Sequence, residues 1–148
     1  MKDIELVSIS VSDLEILDFT QYKTLSIEQK KALVNDSERG YHEGNFFRFY
    51  LVKNGQEIVG VLNMCGHGNN EISVAPEIIE GHRNKGFATK GLKQAYLEAK
   101  KFGFKVVVAG IRKENIASQR LHEKLGFNFK EEFVSKNGNS MKKYLKVL

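Results

Sequence analysis

The segment Gly81-His82-Arg83-Asn84-Lys85-Gly86-Phe87-Ala88 sets glycines and basic side chains directly ahead of a helix-like stretch. The first amide N–H groups of a helix lack internal partners and carry partial positive charge, so such a loop is suited to hold a phosphate. Gly86 and Ala88 add little bulk where an anion would approach. The spacing of Gly81 and Gly86 is that of a nucleotide-hydrolysing phosphate loop. However, Phe87 stands where the phosphate-binding lysine would be, and Ala88 where the magnesium-binding hydroxyl would be. That argues against nucleotide hydrolysis.

A second group lies further along. Asn115 is a good N-cap three residues before Ser118, and Ser118 and His122 follow at a spacing of four, which places them on one helical stripe. Glu71 and Glu77 bring carboxylates into a strand-like run that also holds Pro76, whose missing amide hydrogen marks an edge or a bulge. Cys65 follows the apolar run Ile58, Val59, Val61, Leu62, Met64 and reads as packing rather than as a nucleophile. The histidines His42, His67, His82 and His122 show no paired ligand spacing, so no metal is expected.

The elements that must position these residues follow from periodicity and turn chemistry. Ile4 to Ile9 reads as a strand, Ser12-Asp13 opens a helical stretch, and Ser26 with Gln29 forms a capping box at the start of a second helix. Phe47 to Lys53 and Glu57 to Met64 are strand-like on either side of Asn54-Gly55, a strong hairpin signal. The centre predicts a strand over Glu71 to Ile79, a helix over Gly86 to Phe102, a strand over Lys105 to Ile111 and a helix over Asn115 to Leu125. Ala88, Leu92, Ala95, Tyr96, Ala99 and Phe102 recur at helical spacing, so the longer helix covers a sheet. Val106 to Ala109 has the composition of a strand buried on both faces. In the last helix, Ala117, Leu121 and Leu125 form the expected buried stripe. Phe127 to Val134 and Met141 to Val147 flank the turn Lys136-Asn137-Gly138-Asn139 and close the chain as an antiparallel pair. Hairpins outside and β-α-β inside make a mixed sheet.

Size and composition set the frame. The 148 residues, with no linker or repeat, predict one domain over residues 1–148, so a site must be built within one core or between two copies in a homodimer. Hydrophobic residues at 41% and charged residues at 28% describe a compact folding chain rather than a disordered one. One cysteine excludes an internal disulfide. Apolar runs are too short to span a bilayer, and Met1-Lys2-Asp3-Ile4-Glu5 lacks the layout of a signal peptide, so a cytoplasmic protein without a membrane partner is expected. The net charge of +5 comes from lysines spread along the chain without interleaved aromatic residues, which argues against a nucleic-acid partner and suits a polyphosphate ligand.

The arrangement Arg83-x-x-Gly86-x-Ala88 after a strand and before a helix resembles the Arg/Gln-x-x-Gly-x-Gly/Ala loop of the GNAT superfamily of N-acetyltransferases. The segment Glu114 to Phe127, ENIASQRLHEKLGF, is similar to the second cofactor segment of that superfamily. The resemblance implies an α/β (α+β) fold: a mixed, mostly antiparallel twisted sheet of about seven strands, with helices on both faces. In it the fourth and fifth strands, here Glu71 to Ile79 and Lys105 to Ile111, splay apart around acetyl-CoA. It further implies that Ile78 and Ile79 offer backbone groups to the pantetheine arm. Arg83, Asn84, Lys85, Gly86, Phe87, Ala88 and Thr89 would line the pyrophosphate, with Asn115 and Ser118 facing the cofactor from the last helix.

The activity implied is transfer of an acetyl group to a primary amine, of a small molecule or a peptide N-terminus, by direct attack in a ternary complex. An alkylamine has a pKa near ~10.4 and must lose its proton before it can attack. The departing thiolate can take a proton from an acid. The family often places a tyrosine in the last helix as that acid, and this chain has His122 at the matching position. Some relatives carry a basic glutamate on the fifth strand, where this chain has Gly110. Others use the fourth strand, which offers Glu71 and Glu77, with Glu71 expected on the opening side. Loss of acid and base would instead describe a non-catalytic acyl-CoA-binding domain.

Overall fold

The computed structural model describes residues 4–148, so Met1, Lys2 and Asp3 lie outside the described residues. Strand β1 (Ile4–Ser8) leads into two 3-10 helices, Val11–Phe19 and Gln21–Thr24. The first of these starts two residues before the expected point, because Ser10 rather than Ser12 is its N-cap: Asp13 Oδ2 accepts from the Ser10 amide at 2.9 Å. Helix α1 (Ile27–Arg39) is capped by Ser26 and Gln29 as the sequence predicts, and Gly40 ends it at φ +80°.

A two-residue strand β2 (Tyr41–His42), not foreseen, pairs with β3 (Asn45–Asn54). Strand β4 (Glu57–Gly68) then runs past Met64, so Cys65 lies within it. Strand β5 (Glu71–Ile78), helix α2 (Phe87–Lys101), strand β6 (Val106–Arg112) and helix α3 (Ile116–Lys124) make the β-α-β-α centre, and β7 (Asn128–Val134) and β8 (Ser140–Val147) close the sheet. The strand order is β1-β3-β4-β5-β6-β8-β7, with β2 beside β3 off this path. All neighbouring pairs are antiparallel except β5 and β6.

Two apolar layers hold the faces. On one, Leu92, Ala95, Tyr96 and Ala99 of α2 pack with Leu62, Met64, Ile72, Val107 and Ile111 of the sheet and with Phe127 behind α3. On the other, Leu17 and Val34 pack with Phe47, Phe49, Leu51 and Val61. The alternation of β4 residues between the layers follows from the period of two along a strand. Val106, Val108 and Ala109 are only half-buried, against the expectation of a strand covered on both faces. The reason is the one place where the sheet opens.

Candidate active site

Strands β5 and β6 pair only through Glu71 with Val106 and Ile72 with Val107. Beyond these two pairs β5 continues beside β4, β6 continues beside β8, and the two strands part. The opening holds a cavity of about 410 Å³ lined by Val74, Pro76, Ala88, Gly110, Ser118 and His122, among others. The splay therefore starts at Ser73, while β5 stays paired with β4 for five more residues, to Ile78. Pro76 itself carries no bulge, since it stays in register with Leu62.

The register fixes which backbone groups face the opening. The Ile79 amide donates to the Val59 carbonyl at 2.9 Å, and opposed residues of an antiparallel pair alternate between bonded and non-bonded. Glu77 and Ala75 thus turn their polar groups to β4, whereas Ile78, Pro76 and Val74 turn theirs to the gap. Pro76 has no N–H, so the amides of Val74 and Ile78 are the donors on this edge. The expectation for Ile79 is corrected: its N–H is held by Val59 and its carbonyl accepts from the His82 amide at 3.0 Å. Ile78 keeps its amide, and its carbonyl accepts from Arg83 Nε at 2.9 Å, which ties the loop to the edge of β5.

Gly86 is the N-cap of α2 at φ +81°, in the left-handed region that favours glycine, and no side chain caps the helix. The amides of Phe87, Ala88 and Thr89 are therefore left for an external acceptor. A cavity of about 390 Å³ sits on them, lined by Ile78, Arg83, Asn84, Gly86, Phe87, Ala88 and Thr89. Lys85 is exposed beside it and is not one of its lining residues. Ala88 lines both this cradle and the gap, so an anionic head and a narrow tail can be held in one ligand.

On α3, Ser118 and His122 line the gap, while Asn115 is spent on capping: its Oδ1 accepts from the Ser118 amide at 3.1 Å. The expected stripe of Ala117, Leu121 and Leu125 is corrected, because Ala117 is exposed and the other two are only half-buried. The helix borders a cleft, so its one buried residue is Gln119. Gln119 Nε2 donates to the carbonyls of Arg112 (3.2 Å) and Lys113 (2.9 Å), fastening α3 to the end of β6. His122 Nδ1 stands 2.8 Å from the Ser118 carbonyl, which can only accept, so the proton of the neutral ring is on Nδ1 and Nε2 is free.

The carboxylates are distributed differently from expectation. Glu71 is at the paired end of β5, opposite Val106, where the sheet is closed, and is corrected as the acceptor-side base. Glu77 lies on the Val61 face at the open end, and its carboxylate accepts from the Gln21 amide at 2.9 Å. Beside it Tyr22 Oη accepts from Asn63 Nδ2 at 2.7 Å. Burial holds the Tyr22 hydroxyl above its ordinary pKa, with the charge of Glu77 acting in the same direction. Burial also pushes the Cys65 thiol up, which leaves it a poor nucleophile. Sequence reasoning missed Val74, Ser73 and the Tyr22–Asn63 pair. The period of two in β5, counted from Pro76, was the available signal for Val74.

Among the described residues no group of three or more His, Cys, Asp or Glu side chains converges as a metal site, and no helix is long and apolar enough to cross a membrane.

A sheet unzipped between two parallel strands, with an uncapped helix at its mouth, defines an acyl-CoA-dependent acyltransferase site. The family model described as "Acetyltransferase (GNAT) domain" matches residues 2–128, and the chain belongs to that family of acetyl-CoA-dependent N-acetyltransferases. Similar solved structures include the dodecameric spermidine N-acetyltransferase of Vibrio cholerae, with a TM-score of 0.82 and 16% identity over 98% of this chain and 94% of that one. The ribosomal L7/L12 alpha-N-protein acetyltransferase RimL, in complex with coenzyme A, gives 0.81 and 16% over 100% and 96%. An N-acetyltransferase from Staphylococcus aureus Mu50 gives 0.77 and 20% over 99% of each chain. Curated proteins give no sequence match.

Proposed function

We propose that the chain, as a single domain working in the cytoplasm alone or as a homodimer, transfers the acetyl group of acetyl-CoA to a primary amine by direct attack in a ternary complex. The amine belongs to a small molecule or a peptide N-terminus. The observation that carries this is the uncapped start of α2 beside the unpaired edge of β5, with a carboxylate-bearing cavity that shares Arg83 with the cradle. Structures with the same fold act on both acceptor classes, spermidine in one case and a ribosomal-protein N-terminus in the other.

The thioester supplies an activated acyl carbon, and the chain supplies the rest. The amides of Phe87, Ala88 and Thr89 and the side chain of Arg83 hold the anionic end. The Val74 amide faces the gap where a carbonyl oxygen would gain charge, which makes it the oxyanion donor. A cavity of about 570 Å³ lined by Asp18, Thr20, Gln21, Glu77 and Glu80 receives the ammonium. Glu77, anchored by the Gln21 amide, then accepts its proton. His122 acts on the leaving side: the imidazolium gives up the Nε2 proton and falls back to the neutral tautomer that the Ser118 carbonyl selects. A screen of CoA release across polyamines, N-terminal peptides and aminoglycosides tests the proposal. One acceptor class should give saturable turnover that Glu77→Gln depresses, and unchanged turnover in that variant would remove Glu77 from the reaction.

A further inference from the structure

Away from the cleft, a cavity of about 530 Å³ opens at the end of β1, between the last turns of α1 and α2. Its walls include Leu6, Glu38, Arg48, Tyr50, Glu98 and Phe102. Tyr50 is 6% exposed, yet its hydroxyl has no hydrogen-bond partner among the described residues. No buried side-chain oxygen or nitrogen among them is left unpartnered, so this hydroxyl reaches open space, and the space beside it is the cavity. A phenol buried to that degree ordinarily has a partner.

Arg48 is similarly incomplete. Its Nη1 donates to the Ser37 carbonyl at 2.7 Å, and its guanidinium lies over the rings of Phe46 and Phe102 at 5.6 and 5.5 Å. Among the described residues its remaining N–H groups have no acceptor, and no carboxylate comes within ion-pair distance of it. Glu38 and Glu98 line the same cavity. Among the described residues Glu98 pairs only with Lys101, at 3.6 Å on the surface. Positive and negative groups therefore face one space without neutralising one another, with the apolar walls of Leu6 and Phe102 between them.

We infer that this cavity is a second ligand site, separate from the acetyl-transfer cleft, for a small zwitterion of the α-amino-acid class with an apolar side chain. The carboxylate is taken by the free N–H groups of Arg48, a pairing that planar guanidinium geometry favours. The ammonium is taken by the Tyr50 hydroxyl and the carboxylates of Glu38 and Glu98, near the C-terminal ends of two helices, whose partial charge is negative. The side chain rests on Leu6 and Phe102. The site shares α2 with the cleft: the helix begins at the cradle and ends at Phe102.

Calorimetric titration of the full chain with L-leucine, isoamylamine and 4-methylpentanoate separates the two charged ends. L-leucine should bind, and each probe lacking one charged group should bind at least about tenfold more weakly, as expected when a charge-assisted hydrogen bond is lost. Tyr50→Phe should weaken L-leucine about tenfold or more while leaving acetyl-CoA affinity unchanged. That variant removes only an oxygen without a partner in the fold, so folding is not at issue. Arg48→Gln should do the same, with a lower thermal midpoint because the Ser37 carbonyl loses its donor. Absence of L-leucine binding at millimolar concentration, or equal binding of isoamylamine, overturns the inference. So does L-leucine binding unaltered by Tyr50→Phe, which would assign the amino acid to the acceptor side of the cleft.

Discussion

His122 can take or give a proton at Nε2 depending on its charge, and the Ser118 carbonyl fixes which nitrogen bears the proton of the neutral ring. With the neutral ring protonated at Nδ1, only the imidazolium can give a proton from Nε2. The acid role predicts that His122→Phe should lower kcat about 100-fold with little change in acetyl-CoA affinity. His122→Tyr should restore activity. A loss of only a few-fold at saturation would mean that the ring is merely part of the cleft wall. Gly86 is the complementary case. An added Cβ there meets nothing within 4 Å, so Gly86→Val is resisted only by the positive φ, a cost of about 1–3 kcal/mol. Calorimetry should find the protein folded but with acetyl-CoA binding strongly reduced, because the branched side chain crowds the free amides. Such residues were legible in the sequence because a helix start and its glycine are local features. Glu71 was not placed correctly, since the end of β5 that opens is set by how far β6 follows it, which is a long-range property.

At the scale of elements, the open edge of β5 rests on its close approach to β4. Gly60 permits this: a Cβ there would collide with the Glu77 carbonyl oxygen. Gly60→Ala should destabilise the fold by about 1–3 kcal/mol in chemical denaturation and weaken acetyl-CoA binding together, since β5 must shift to make room. A second element-level feature is the clasp between α1 and β2, where Asp36 Oδ2 meets His42 Nδ1 at 2.7 Å and Arg39 also reaches the carboxylate. The hydrogen bond from His42 holds the Asp36 carboxyl below its ordinary value of 3.8, despite a burial penalty that opposes this. Its stabilisation is thus fully present above about pH 4 and is lost as pH falls through the depressed value. Asp36→Asn should lower the melting temperature at neutral pH and flatten its acid decline below about pH 4. The Ser26-Gln29 capping box and the Asn54-Gly55 hairpin identified α1, β3 and β4 correctly. The two-residue β2 and the extension of β4 to Gly68 escaped because their pairing, rather than their composition, defines them.

Across the whole molecule, the order of elements brings the loop before α2 and the stripe of α3 to the gap between β5 and β6, and sets the 3-10 helix that carries Gln21 and Tyr22 against Glu77 at the open end of β5. In the proposed function the last of these contributes the acceptor side, and its residues carry no motif comparable to Arg83-x-x-Gly86-x-Ala88, which is why the cofactor half was readable and the acceptor half was not. The central claim is that this opening transfers acetyl groups rather than only holding their carrier. Its most direct test is the rate of free CoA release from acetyl-CoA with and without an amine panel, measured alongside Gly86→Val. The account predicts release that depends on one acceptor class, saturates in it, and collapses in the variant. Tight acetyl-CoA binding with no amine-dependent release from any acceptor would contradict it.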